Sequence, residues 1–104
     1  MAIDYDAVKT ELRQYADDVR CVFPVDKVFI FGSYAKGTAD RLSDVDVCFF
    51  IKDYNNKTRY DISMELFRLC EKNNSYIEPR VFESSEINRN NLFVNEILRT
   101  GYEI

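Results

Sequence analysis

Residues 28 to 51, VFIFGSYAKGTADRLSDVDVCFFI, constrain this chain more than any other stretch. Two short apolar runs rich in Val, Ile and Phe are expected as strands. Between them lie a Gly-Ser pair at Gly32 and Ser33, a possible turn of helix and two aspartates one residue apart, Asp44 and Asp46. Such a turn sets backbone N–H groups near a pair of carboxylates. That combination can hold a nucleoside triphosphate and its metal ions.

The rest of the chain supplies helices around these strands. Asp4 is a fitting N-cap, and Val8, Leu12, Tyr15, Ala16 and Val19 recur at helical spacing, so residues 5–20 read as an amphipathic helix. Residues 21–26, with Pro24, break it. Residues 27–31 form the first strand, residues 33–36 begin a helical turn that Gly37 stops, and residues 38–43 are a polar loop. In the second strand, residues 44–51, alternation sends Asp44, Asp46, Cys48 and Phe50 to one face and Val45, Val47, Phe49 and Ile51 to the other. Beyond the aspartates both faces are apolar, as in a strand covered on both sides. After a turn at residues 53–56, Ile62, Leu66, Leu69 and Cys70 mark a helix over residues 57–72. A second turn at residues 72–75 leads to a third strand, residues 76–82, whose Pro79 implies a side without a ladder partner. Ser84 or Ser85 is expected to cap a last helical region, interrupted near Asn90 and Asn91 and ended by Gly101, with a short edge strand after it. Leu92 and Phe93 in that region read as core residues, with a contact patch as the alternative. The alternation predicts an α/β (α+β) fold: a small mixed sheet with helices mainly on one face and the other face partly open to a site.

Composition narrows the chemistry. With 104 residues the chain is expected to form one domain, residues 1–104. Net charge is −4 and the 14 basic residues form no run, which argues against direct nucleic-acid binding. No run reaches the roughly 20 apolar residues of a membrane span. Cys21, Cys48 and Cys70 are widely spaced, and Cys48 and Cys70 sit in apolar patterns as small buried hydrophobes, so a reduced cytoplasm is expected. The chain has no histidine. Imidazole acid–base catalysis, Ser-His and Cys-His pairs and His-ligated zinc are thereby removed. Carboxylates, Lys, Ser or a metal held by oxygen remain.

Gly32 lets the chain turn after a strand with no Cβ in the way of a phosphate, and the Ser33 N–H and hydroxyl are donors for an anion. Lys36 adds a nearby charge. An ordinary strand-to-helix turn capped by Ser33 would look the same, and GSYAKGT is not a Walker A loop. Asp44 and Asp46 share a strand face, and at that separation they repel unless a cation lies between them. Mg²⁺ suits such ligands, and two ions can serve displacement at phosphorus. Two solvated surface aspartates are the plain alternative. Glu78 reaches the same cluster if the third strand lies beside the second, as a metal ligand or as the base that takes a proton. Otherwise it is a surface residue. Glu83 and Glu86 compete but fall at or beyond the strand's end.

The block GSYAKGTADRLSDVDV resembles the signature of the DNA polymerase beta-like nucleotidyltransferases, Gly-Ser, a spacer and Asp-x-Asp. With the later IEP strand it is similar to their minimal members. The resemblance implies the nucleotidyltransferase fold, with Gly32 and Ser33 on the β- and γ-phosphates, Asp44 and Asp46 on Mg²⁺, Glu78 as third carboxylate and Lys36 in support. It implies ATP as substrate and a helical HEPN-type partner protein, with this chain as antitoxin transferring AMP to the partner's tyrosine. Two other readings remain: an antitoxin that acts by occlusion, and transfer to a small molecule of aminoglycoside type. Acceptor, base and homo-oligomeric state stay open.

Overall fold

The computed structural model describes residues 4–40, 43–71 and 76–104. Helix α1, Tyr5–Arg20, begins at Asp4, whose carboxylate accepts from the Ala7 N–H at 3.0 Å. Its buried stripe is Leu12, Tyr15, Ala16 and Val19, the apolar positions at helical spacing. Strand β1, Val25–Phe31, starts directly after Pro24, two residues earlier than its β-rich core suggests. Val25 pairs with Ile51 across an irregularity in the ladder, which lengthens the strand. Helix α2, Ser33–Lys36, is a single turn stopped by Gly37 in the left-handed conformation (φ 74°).

Strand β2, Val45–Ile51, is central. It runs antiparallel to β1 and parallel to β3, Ile77–Glu83, while the two-residue β4, Tyr102–Glu103, pairs with the far side of β1. The order β3-β2-β1-β4 makes a mixed sheet, as expected. Pro79 lies on an edge strand. Since the Val45 N–H donates to the Tyr76 carbonyl, alternation turns the backbone groups of Pro79 away from β2, so its missing N–H costs no ladder bond.

The two faces of β2 separate the core. Val45, Val47, Phe49 and Ile51 pack with α1 and with α3, Arg59–Glu71. Cys48 and Phe50 pack with Phe29 and with Val94 and Ile97 of α4, Leu92–Thr100. Burial, with the Glu86 charge adding to it, pushes the Cys48 thiol up to about 12, so this cysteine is an inert filler. Asn55 and Asn56 take positive φ in the expected turn at residues 53–56; the one expected at residues 72–75 lies outside the described residues.

Tyr15 joins the two helices of the first layer. Its hydroxyl donates to the Leu66 carbonyl at 2.6 Å while its ring meets Phe49 edge-on at 5.5 Å. Tyr15→Phe keeps the ring and removes the bond, so urea unfolding should show a loss of about 1 kcal/mol.

The last third departs from the expectation in two respects. Neither Ser84 nor Ser85 is the cap: Glu83 precedes a 3₁₀ turn, Ser84–Asn88, and exchanges capping bonds with Glu86. A separate cap, Asn91, accepts from the Phe93 and Val94 N–H groups and starts α4 after Asn90, which has φ 45°. Leu92 and Phe93 are not core residues. They are 81% and 45% exposed, whereas Val94 and Ile97 are the buried residues of α4, with Leu98 packed beside them.

Candidate active site

The open part of the α4-side face gathers the polar residues singled out in the sequence. At the end of β1 the chain turns through Gly32 with φ 70° and ψ −148°, a region that is essentially glycine's alone. A Cβ there would lie 2.4 Å from Asp46 Oδ2. The turn and the aspartate are thus in direct contact, and the glycine is required twice over. Among the backbone groups beyond it, the Lys36 N–H returns to the Gly32 carbonyl and the Thr38 N–H to that of Ser33. The N–H groups of the first turn, from Ser33 on, have no helical carbonyl before them and suit an anion.

Asp46 stands in β2 opposite Phe31 of β1 on one side and Glu78 of β3 on the other. Parallel pairing therefore puts Glu78 on the same face, next to Asp46. Asp44 is exposed, one residue before β2 begins. Burial, then the charges of Glu78 and Asp44, hold the Asp46 carboxyl above the usual carboxylate range, with Arg80 opposing them. Of the rival carboxylates, Glu86 accepts both oxygens' worth of bonding from Arg59 at 2.7 Å and is tied to the turn after β3. Glu83 is its capping partner.

Arg80 and Phe93 were not visible as site residues in sequence. Arg80 follows Glu78 by two, so strand periodicity alone places it on the same face, and its guanidinium lies 3.7 Å from the Glu78 carboxylate. The ring of Phe93 lies 5.8 Å from Arg80 and from each of Phe31 and Phe82. Lys36 is exposed at the end of α2. It lines, with Gly32, Phe93, Glu96 and Thr100, a cavity of about 200 Å³ between the turn and α4. A second groove, of about 260 Å³, runs past Glu78 and Arg80 to Arg59, Ser63 and Phe67.

Only oxygen donors are offered here, which suits a hard divalent cation. Among the described residues no three acidic or sulfur side chains converge as a ready-made metal cage. Mg²⁺ does not need one, since it is ordinarily held by one or two carboxylates together with waters and substrate phosphates. The carboxylate row thus fits a cation that arrives with a polyphosphate.

The profile of the family described as "Nucleotidyltransferase domain" matches residues 12–100. A Methanocaldococcus jannaschii protein, provisionally named a protein adenylyltransferase, is 27% identical over 96 residues, covering 89% of this chain and 94% of its own. The crystal structure of a provisionally named nucleotidyltransferase from Sulfolobus solfataricus superposes with a TM-score of 0.61 and 24% identity, covering 86% of this chain and 84% of that one. A toxin-antitoxin structure with AMP-PNP aligns at a TM-score of 0.49 and 18% identity, over 97% of this chain and 72% of that one.

Proposed function

The chain belongs to the nucleotidyltransferase domain family, and on that premise we propose that it transfers AMP from ATP to a hydroxyl of a partner protein. The observation that carries the reading is the contact between the Gly32 turn and Asp46, with Glu78 beside it. A donor for phosphate, a cation ligand and a proton acceptor are thereby adjacent. The Ser33 N–H and hydroxyl would hold the β- and γ-phosphates, Lys36 supporting them. Asp44, Asp46 and Glu78 would hold Mg²⁺, as one ion or two, which when bound neutralises phosphate charge. Glu78 would take the proton of the acceptor hydroxyl as its oxygen bonds to the α-phosphorus and the bond to the β-phosphate oxygen breaks, releasing pyrophosphate. Arg80, 3.7 Å from that carboxylate, would supply a neighbouring positive charge.

A protein acceptor is favoured by the surface next to Glu78. Tyr60, Met64 and Phe67 recur at helical spacing on α3 and are 72%, 44% and 42% exposed. Phe67 lines the groove that leads to Glu78, and with Tyr60 and Met64 it forms an apolar stripe suited to another polypeptide. The resemblance in the sequence implies a HEPN-type helical toxin as that polypeptide, with this chain as its cytoplasmic antitoxin. The relative named as a protein adenylyltransferase supports the same kind of acceptor. No helix among the described residues is long and apolar enough to cross a membrane.

The same stripe also favours a second reading, neutralisation of the partner by occlusion alone. One experiment separates the two: incubation with α-phosphate-labelled ATP and Mg²⁺ in the presence of the protein encoded by the adjacent gene. Label on that protein is the expected result. A stable unlabelled complex that still neutralises the partner would replace transfer by occlusion.

A further inference from the structure

We propose that the open face of Phe93 is the stacking platform for the base of the nucleotide donor. The inference rests on the nucleotidyl-transfer reading and names a part of the site that Gly-Ser and Asp-x-Asp do not supply. Three observations carry it. First, Phe93 leaves almost half its surface open although it is among the largest apolar side chains of α4. The ring is backed edge-on by Phe31 (83° between planes) and at 38° by Phe82, both centroids at 5.8 Å, with the Arg80 guanidinium at 5.8 Å as a third neighbour, and 45% of the residue remains exposed.

Second, the backbone of Phe93 is fixed, because its N–H donates to the Asn91 cap at 3.0 Å. A platform held by a cap and two rings loses little freedom when a base lies on it. Third, Phe93 and Gly32 line one cavity of about 200 Å³. That space can take a heterocycle, and the turn proposed for the phosphates forms its wall. Base and phosphates of one nucleotide therefore fall on the two ends of a continuous surface. An aromatic face accepts any base through its π system, so Phe93 supplies affinity without choosing among bases.

The chain contains no tryptophan, so Phe93→Trp introduces a single indole reporter. With Mg²⁺ present, ATP should quench its fluorescence and inorganic triphosphate should not. By calorimetry, Phe93→Leu, which keeps apolar packing against Phe31 and Phe82 but has no π face, should weaken ATP binding roughly tenfold to a hundredfold. Its affinity for triphosphate should stay that of the wild type. ATP bound with wild-type affinity by Phe93→Leu, or bound by Phe93→Trp without quenching, would overturn the platform and leave nucleotidyl transfer standing. A wild type that binds neither ATP nor triphosphate would overturn the phosphate turn and the platform together.

Discussion

Asp44→Asn combined with Asp46→Asn should lower the transfer rate at least about a thousandfold, corresponding to ~4 kcal/mol of lost transition-state stabilisation. The fold should persist. Asp44 is exposed, and Asp46 is crowded by Glu78 and Asp44 with Arg80 alone opposing them. Because its folded-state carboxyl is held above its ordinary value, ionised Asp46 weakens folding at neutral pH, and a neutral amide of the same shape removes that penalty. The melting temperature, taken without divalent cation, should be equal to or above that of the wild type. Unchanged transfer in the double variant would remove the carboxylate mechanism. A lowered melting temperature would instead make the pair structural.

Gly32→Ala should cost the protein on two counts at once. The backbone there has φ 70° and ψ −148°, where any side chain adds strain of roughly 1–3 kcal/mol. The new methyl would also stand 2.4 Å from Asp46 Oδ2, so the carboxylate must move away from the turn. Chemical unfolding should show a loss on the order of 2–4 kcal/mol, and transfer should be abolished even where the protein remains folded. Gly37→Ala is the control. Its φ of 74° carries a similar left-handed cost of about 1–2 kcal/mol, yet nothing lies within 4 Å of the added methyl. That variant should be destabilised but active. Equal activity in the two would mean that Gly32 is there for the backbone and not for Asp46.

These contrasts show which parts of the molecule were legible in the chain itself. Periodicity revealed α1 and both faces of β2, because one register satisfies the whole apolar pattern. Pro79 announced an edge strand, since no central position tolerates its missing donor. The proximity of Glu78 to Asp46 could only be stated conditionally. It depends on which strands pair, and side-by-side placement of β2 and β3 is a tertiary fact. Gly32 was legible as a turn but not as the neighbour of Asp46 for the same reason. Phe93 was misread as core because hydrophobicity gives the tendency to bury, not the tertiary position that leaves this ring half outside. The cap of α4 was foreseeable as an interruption, since Asn tolerates both the left-handed residue 90 and the capping position 91.

The borders of the sheet have a bearing on behaviour in a crowded solution. An intruding strand seeking to extend the sheet past β3 would meet Pro79 where it needs a donor. On the opposite border β4 offers only two residues, too short a template to hold a stranger. Both rims thus offer a second copy little to pair with, which disfavours strand-by-strand growth of the sheet.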